Sequence, residues 1–410
     1  MKKKLFAVFL LLCAFGIYFV FFHKDKTLKF VPESADLLIL IDVKKVVRQT
    51  AWSFVSHPSQ WGKSSKSESL LSSLSNSGLK IPDYLQVFHL KSNQIAIWHT
   101  VLEIEKPKEF LIFLKKHQFR KIEQNIFQRD HYVLKVVGKK CLLGNSRAGF
   151  PFLENTLLKD NHNLLNANDW INDSPASLSY LTAEKSQNFS IDFTDDEIEI
   201  KNGLDDDSLT DLLHLLEKQT NFLEAELDSK NIKAFANYFD KDFGDSTGIV
   251  KFKTSAELQQ VKDTIITYTY DDDFNEIEEK SFQKVVQPNY VMSFQSSQSA
   301  KTWEYFKNKK WINSEEQFTI IPFQPNLISR DRNNIFVKST RKPITLGEWQ
   351  NKNYLFIRNS PLLTSFYSRL SASEKKIISE LDYIFYANRE NDYYIKIKMK
   401  PGDLPFILRL

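Results

Sequence analysis

Apolar positions along the chain recur at two spacings, and the change from one to the other marks out the elements. Leu37 to Ile41 is a short continuous apolar run behind Pro32-Glu33-Ser34-Ala35-Asp36, the length of a buried strand. From Asp42 onward the spacing becomes helical. Val43, Val46, Val47, Ala51, Phe54 and Val55 recur about one turn apart until His57-Pro58 ends the pattern. Asp42 stands at the junction, where a carboxylate accepts a hydrogen bond from the free amides of the first helical turn. The same order returns at Leu223 to Leu227, Asp228 and the stripe Ile232, Phe235, Ala236, Phe239. It returns again at Tyr354 to Arg358, followed by Asn359, Ser360 and Pro361.

A second pattern also repeats. Ile97 to Ile104 reads as a strand, Lys106-Pro107-Lys108-Glu109 opens a helix with Phe110, Leu111, Phe113 and Leu114, and strands follow near Ile126 to Val137 and Lys140 to Gly144. Its counterpart begins at Tyr290 to Phe294 and continues through a helix with Ala300, Trp303 and Phe306. Strands at Phe318 to Phe323, Leu327 to Arg330 and Ile335 to Ser339 complete it. Phe189 to Phe193 with Glu197 to Lys201 predicts a hairpin, as does Tyr383 to Ala387 with Tyr393 to Met399. The fold class expected is α+β: two related halves, residues 37–220 and 221–410, with largely antiparallel sheets and packed helices.

The N-terminus has a different pattern. Leu5 to Phe22 is an unbroken run of apolar and small residues between Lys2-Lys3-Lys4 and His23-Lys24-Asp25-Lys26. As a helix it rises about 27 Å, close to a hydrocarbon core of about 30 Å, and flanking lysines snorkel the difference. We expect residues 1–26 to be a basic flank and transmembrane signal anchor, and 27–36 a tether. The rival is a signal peptide cleaved after Gly16, where Ala14-Phe15-Gly16 has the small residues a peptidase reads. The lysine bias places residues 2–4 in the cytoplasm. The expected location is therefore the inner membrane, single-pass, with the C-terminal domain in the periplasm.

Composition changes this picture little. The chain has 410 residues, 42% hydrophobic and 26% charged, which fits a packed core. Its 55 basic and 51 acidic residues leave a net charge of +4, too balanced to indicate nucleic acid. Of the two cysteines, Cys13 lies in the apolar run, so Cys141 is alone in the folded part and reads as a buried structural thiol.

No chemical motif survives inspection. Gly62-Lys63-Ser64 lacks the earlier glycine of a phosphate loop, since His57 stands there. Asp271, Asp273 and Asn275 have calcium-loop spacing, but Glu276 replaces the turn glycine and Phe282 the bidentate glutamate. They read as a solvated acidic turn. Asp205-Asp206-Asp207 favours the N-terminus of the helix at Leu209 to Leu216 through its dipole. The histidines His23, His57, His89, His99, His117, His131, His162 and His214 show no ligand spacing. Trp52, Trp61 and Trp98 suit core packing, with a ligand cleft as the alternative. No catalytic, cofactor-binding or metal-binding residue is expected, and no cofactor.

The apolar N-terminal run, Pro32-x-x-Ala35-Asp36 entering a strand and an acid-capped helix, and the unit from Trp98 to Gly144 together resemble uncharacterised membrane-anchored envelope proteins of Bacteroidota. The resemblance covers about the first 150 residues. It implies an envelope protein facing the periplasm and carries over no site residue. The function expected is a non-enzymatic, membrane-anchored binding or scaffold protein. Its expected partners are the membrane through Leu5 to Phe22 and membrane-proximal envelope proteins. A carrier for lipid or another apolar ligand is the alternative, and an enzyme without a familiar motif comes third.

Overall fold

The computed structural model describes residues 22–56, 76–157, 165–181, 186–203, 207–236, 240–270, 274–321, 326–363, 370–402 and 405–409. Strands account for 45% and helices for 24%, with extensive antiparallel pairing, so the protein is mostly β and the α+β class is corrected. Much of the additional strand lies in residues 249–270 and 276–296, two ladders far longer than the periodicity predicted.

The membrane assignment is corrected as well. No helix among the described residues is long and apolar enough to cross a membrane. The longest of them has 14 residues and carries Lys44, Lys45 and Arg48. It rises about 21 Å against a hydrocarbon core of about 30 Å. Within the described residues this corrects the transmembrane and signal-anchor readings and the single-pass inner-membrane location. Leu5 to Phe21 lie outside the described residues, and a finding about helices says nothing of a β-barrel.

The chain divides into two compact units, residues 1–202 with 401–410, and residues 203–400. The first contains β1 (Thr27–Leu28), β2 (Ala35–Asp42), β3 (Tyr84–Leu90), β4 (Trp98–Glu103), β5 (Arg120–Glu123), β6 (Ile126–Arg129) and β7 (Tyr132–Val137). It continues with β8 (Lys140–Gly144), β9 (Leu165–Asn166), β10 (Ala176–Tyr180), β11 (Gln187–Phe193) and β12 (Glu197–Lys201). Its main helices are α1 (Val43–Ser56), α2 (Pro107–Lys116) and α3 (Phe150–Leu157). The antiparallel ladders run β12-β11-β10-β2-β3-β4-β8-β7-β6-β5.

Successive strand side chains point to opposite faces, so neighbours in sequence enter different cores. Leu142 joins Leu38, Leu40 and Phe88 against Phe150 and Leu153 of α3. Cys141, one residue earlier, joins Ile104 and Leu134 against Phe110 and Leu114 of α2.

The second unit contains β13 (Leu223–Asp228), β14 (Ile249–Tyr270), β15 (Glu276–Ser296), β16 (Asn326–Arg330), β17 (Asn334–Ser339), β18 (Asn353–Arg358), β19 (Leu381–Arg389) and β20 (Asp392–Met399). Its main helices are α4 (Asp207–Glu217), α5 (Ser229–Ala236), α6 (Ser299–Asn308) and α7 (Ala372–Glu380). The antiparallel order is β20-β19-β18-β13-β14-β15-β17-β16. Phe306 of α6 is fully buried among Phe243, Phe294, Trp311 and Phe318. Leu212, Leu213 and Leu216 of α4 pack with Tyr354, Phe356, Tyr383 and Phe385.

The two orders are the same. β2 and β13 are the corresponding central strands, flanked on one side by β10-β11-β12 and β18-β19-β20. On the other side β3, β4, β8 and β7 correspond to β14, β15, β17 and β16. Isolated bridges Gln317↔Leu327 and Ile312↔Phe318 stand where the first unit has β6 and β5.

The strand-to-helix junctions correspond too. Asp42 Oδ1 accepts from the Lys45 amide at 2.8 Å, and Asp228 Oδ1 from the Asn231 amide at 2.9 Å. The third junction differs: after β18 only a single turn at Pro361 to Leu363 is described, and residues 364–369 lie outside.

Candidate functional site

Most residues singled out in the sequence are dispersed. Gly62-Lys63-Ser64, Trp61, His57, His162, Asp205, Asp206, Asp271 and Asp273 lie outside the described residues. Among the described residues no group of three or more His, Cys, Asp or Glu is placed to hold a metal ion. Cys141 is fully buried, and burial pushes its thiol well above the ordinary range, which leaves it a packed, unreactive group.

One pair of histidines is adjacent. His89 on β3 places Nδ1 at 2.5 Å from Asp36 Oδ1 and Nε2 at 2.9 Å from the Gln94 carbonyl. An aspartate orienting a histidine is half of a hydrolase triad, but the triad needs a nucleophile on the second ring nitrogen. Here a backbone carbonyl occupies that place. His99 on β4 accepts from Asn93 Nδ2 at 3.1 Å through Nε2. Its Nδ1 is buried over Gly144, where even a Cβ would stand only 2.6 Å away, so no substrate atom fits beside it. Burial, followed by the charge of His89, lowers the His99 pKa to about 4. The cluster braces the β3–β4 connection by tying Asp36, Asn93 and Gln94 together. It has no room for chemistry.

Trp52 is a correction to the core-packing expectation. It is 72% exposed on α1 and lines, with Phe193, Pro405 and Phe406, a cleft of about 540 Å³ in the first unit. Trp98 instead lies beside the His89 ring at 5.9 Å.

The feature without a place in its own core is the β14–β15 hairpin. β14 pairs with β13 only through Leu223↔Ala256 to Asp228↔Lys251, and β15 with β17 only through Val291↔Lys338 to Gln295↔Asn334. Beyond those ladders, Glu257 to Tyr270 and Glu276 to Asn289 pair only with each other. At about 3.3 Å per residue this two-stranded arm is roughly 45 Å long.

The pleat sorts its side chains into two faces. One carries Val261 and Val285 near the base and Ile265 and Ile277 farther out. The other carries, pair by pair from base to tip, Lys262 with Lys284, Thr264 with Phe282, Ile266 with Lys280, Tyr268 with Glu278, and Tyr270 with Glu276. On this second face Ile266 is 46% exposed, Tyr268 59%, Tyr270 66% and Phe282 70%. Four large apolar side chains on one face of an exposed ribbon are a contact surface rather than part of a core.

Apolar periodicity does not reveal this arm, because no core imposes alternation along it. Its signal was present in Thr264-Ile265-Ile266-Thr267-Tyr268-Thr269-Tyr270, a run of β-branched and aromatic residues of high strand propensity.

No family model, curated protein or solved structure matches the chain.

Proposed function

We propose that the protein is a non-enzymatic binding or scaffold protein that engages its partner through the β14–β15 arm. The observation that carries this reading is the exposed face of Ile266, Tyr268, Tyr270 and Phe282 on a ribbon that pairs only with itself. An isolated two-stranded hairpin is marginally stable in water, and exposed aromatic residues are the usual anchors of protein contacts. The blocked geometry at His89 and His99 supports a role without catalysis. A photoreactive phenylalanine analogue at Phe282 is expected to give one discrete adduct on irradiation in cells, with none from the same group at exposed Tyr132. No adduct at Phe282, together with full activity of an arm-deleted protein in a null strain, would sink the reading.

A second reading, a carrier for an apolar ligand, has the cleft of Trp52, Phe193 and Phe406 in its favour. Native mass spectrometry of the purified protein tests it: a retained ligand, lost on Trp52→Glu, is the expected signature, and a ligand-free wild type counts against it.

A further inference from the structure

We infer that the occupant of the arm's aromatic face is the arm of a second copy of this chain, packed face to face and antiparallel. The inference rests on the arm being a docking element, as proposed above. What singles out the second copy is the distribution of charge along that one face. Lys262 and Lys284 stand directly opposite each other toward the base, and Glu278 and Glu276 stand toward the tip. Like charges directly opposite on a strand pair are unfavourable, so a carboxylate brought in beside the two lysines is favourable. Going outward from them, the next carboxylate on the same face is Glu278, and it is 2.9 Å from Lys280. The complement of a ribbon that is basic toward its base and acidic toward its tip is the same ribbon reversed.

A two-fold axis through Ile266 meets this requirement. It lies in the contact plane, across the arms, and leaves each strand facing its own copy. Lys284 then meets Glu276 of the second copy, Lys262 meets the ring of Tyr270, and Thr264 meets Tyr268. Phe282 lies over the stem of Glu278 with Tyr268 diagonal to it, and Ile266 packs on Ile266 at the axis. Lys280 meets Lys280 of the second copy across the axis, and each of the two is held by Glu278 of its own arm. The contact is isologous, so each pairing occurs twice and the assembly closes as a dimer. With the axis at Ile266 the arms overlap from residue 262 to residue 270, a face about 26 Å long and about 10 Å wide; this is smaller than a standard specific interface, which makes the dimer a weak and reversible one. An anionic lipid surface is the poorer occupant because Glu276 and Glu278 lie at the end that would reach it first.

Charge reversal on the full-length protein tests the inference without depending on folding alone. Lys284→Glu and Glu276→Lys are each expected to weaken self-association by about tenfold or more in sedimentation velocity, because each homodimer then sets like charges together. An equimolar mixture is expected to recover wild-type association, since both contacts are again of opposite sign. Ile266→Cys with a short bis-maleimide is expected to give a crosslinked dimer, whereas Thr267→Cys on the opposite face is not. A wild-type protein that stays monomeric at about 1 mM, where even a weak contact is populated, would overturn the inference. So would single variants that associate as wild type, or a mixture that fails to recover. An adduct from Phe282 to a different protein, with no self-association, would overturn the second copy as occupant and leave the docking role of the arm standing.

Discussion

Asp42 and Asp228 hold corresponding places in the two units but not equal surroundings. Each caps the helix that follows its strand, and loss of such a cap costs about 1 kcal/mol. Asp228 also accepts from the side chains of Asn231 and Asn353, both at 2.8 Å, so it ties β18 to the α5 terminus. Asp42 Oδ2 in turn pairs with Lys24, so we expect Asp42→Ala and Asp228→Ala each to cost nearer 2 kcal/mol than about 1 kcal/mol in urea unfolding. Burial alone would raise the Asp228 pKa, but its hydrogen bonds from Asn231 and Asn353 outweigh burial and lower it. Its stabilising effect is therefore complete above the ordinary carboxylate range and lost as pH falls through the lowered value. Asp228→Asn should flatten that acid limb. His99 acts over a higher window. Its pKa is lowered from 6.5 in the unfolded chain to about 4 in the fold, so the neutral ring is favoured by folding. Stability is full above pH 6.5 and declines as pH drops toward about 4, by at most about 3 kcal/mol. His99→Leu should remove this slope between pH 6.5 and 4, and a slope that persists in chemical denaturation would assign the acid sensitivity to another group.

Among the elements, those that bury one face were legible and the one exposed on both faces beyond its base was not. The strands at Ala35–Asp42, Leu223–Asp228 and Asn353–Arg358, the helices after Asp42 and Pro107, and both late hairpins follow from apolar spacing. Burial is what writes that spacing into a sequence. The arm beyond Val261 has no core to face, so polar and apolar residues occupy both its faces and period-2 alternation is lost. Only strand propensity marks it in the sequence. The same blindness made the fold look α+β. Because the arm beyond Val261 contributes little burial, replacing residues 262–284 by an Asn-Gly turn between Val261 and Val285, which face each other in the ladder, should leave the fold intact. Measured at a concentration too low for association, the melting temperature should move by no more than about 2 °C. A drop of ten degrees or more would mean that the arm belongs to the core.

At the scale of the whole molecule, the shared strand order was legible through the repeated strand, cap and helix, but the closure of the first unit was not. Its last ten residues, 401–410, come after the entire second unit in sequence and return to complete the first. Nothing in local periodicity announces a return over such a distance, because the information lies in the contacts it makes. The Phe406 amide donates to the Asp195 carbonyl at 2.7 Å, its ring lies 6.3 Å from that of Phe193, and Arg409 pairs with Asp196. Phe406 is buried, and removing a buried Phe from an otherwise formed site costs about 3 kcal/mol before the ion pair is counted. These contacts fall on the end of β11 and on the turn that follows it, within the first unit. Truncation after Lys400 should therefore act locally. Hydrogen exchange is expected to quicken in residues 187–201, while β14 to β17 of the second unit keep the protection of the full-length chain. Equal loss of protection in both units would show that the return segment holds the molecule as one cooperative body, and unchanged protection in 187–201 would show that the Phe406 and Arg409 contacts contribute nothing to stability.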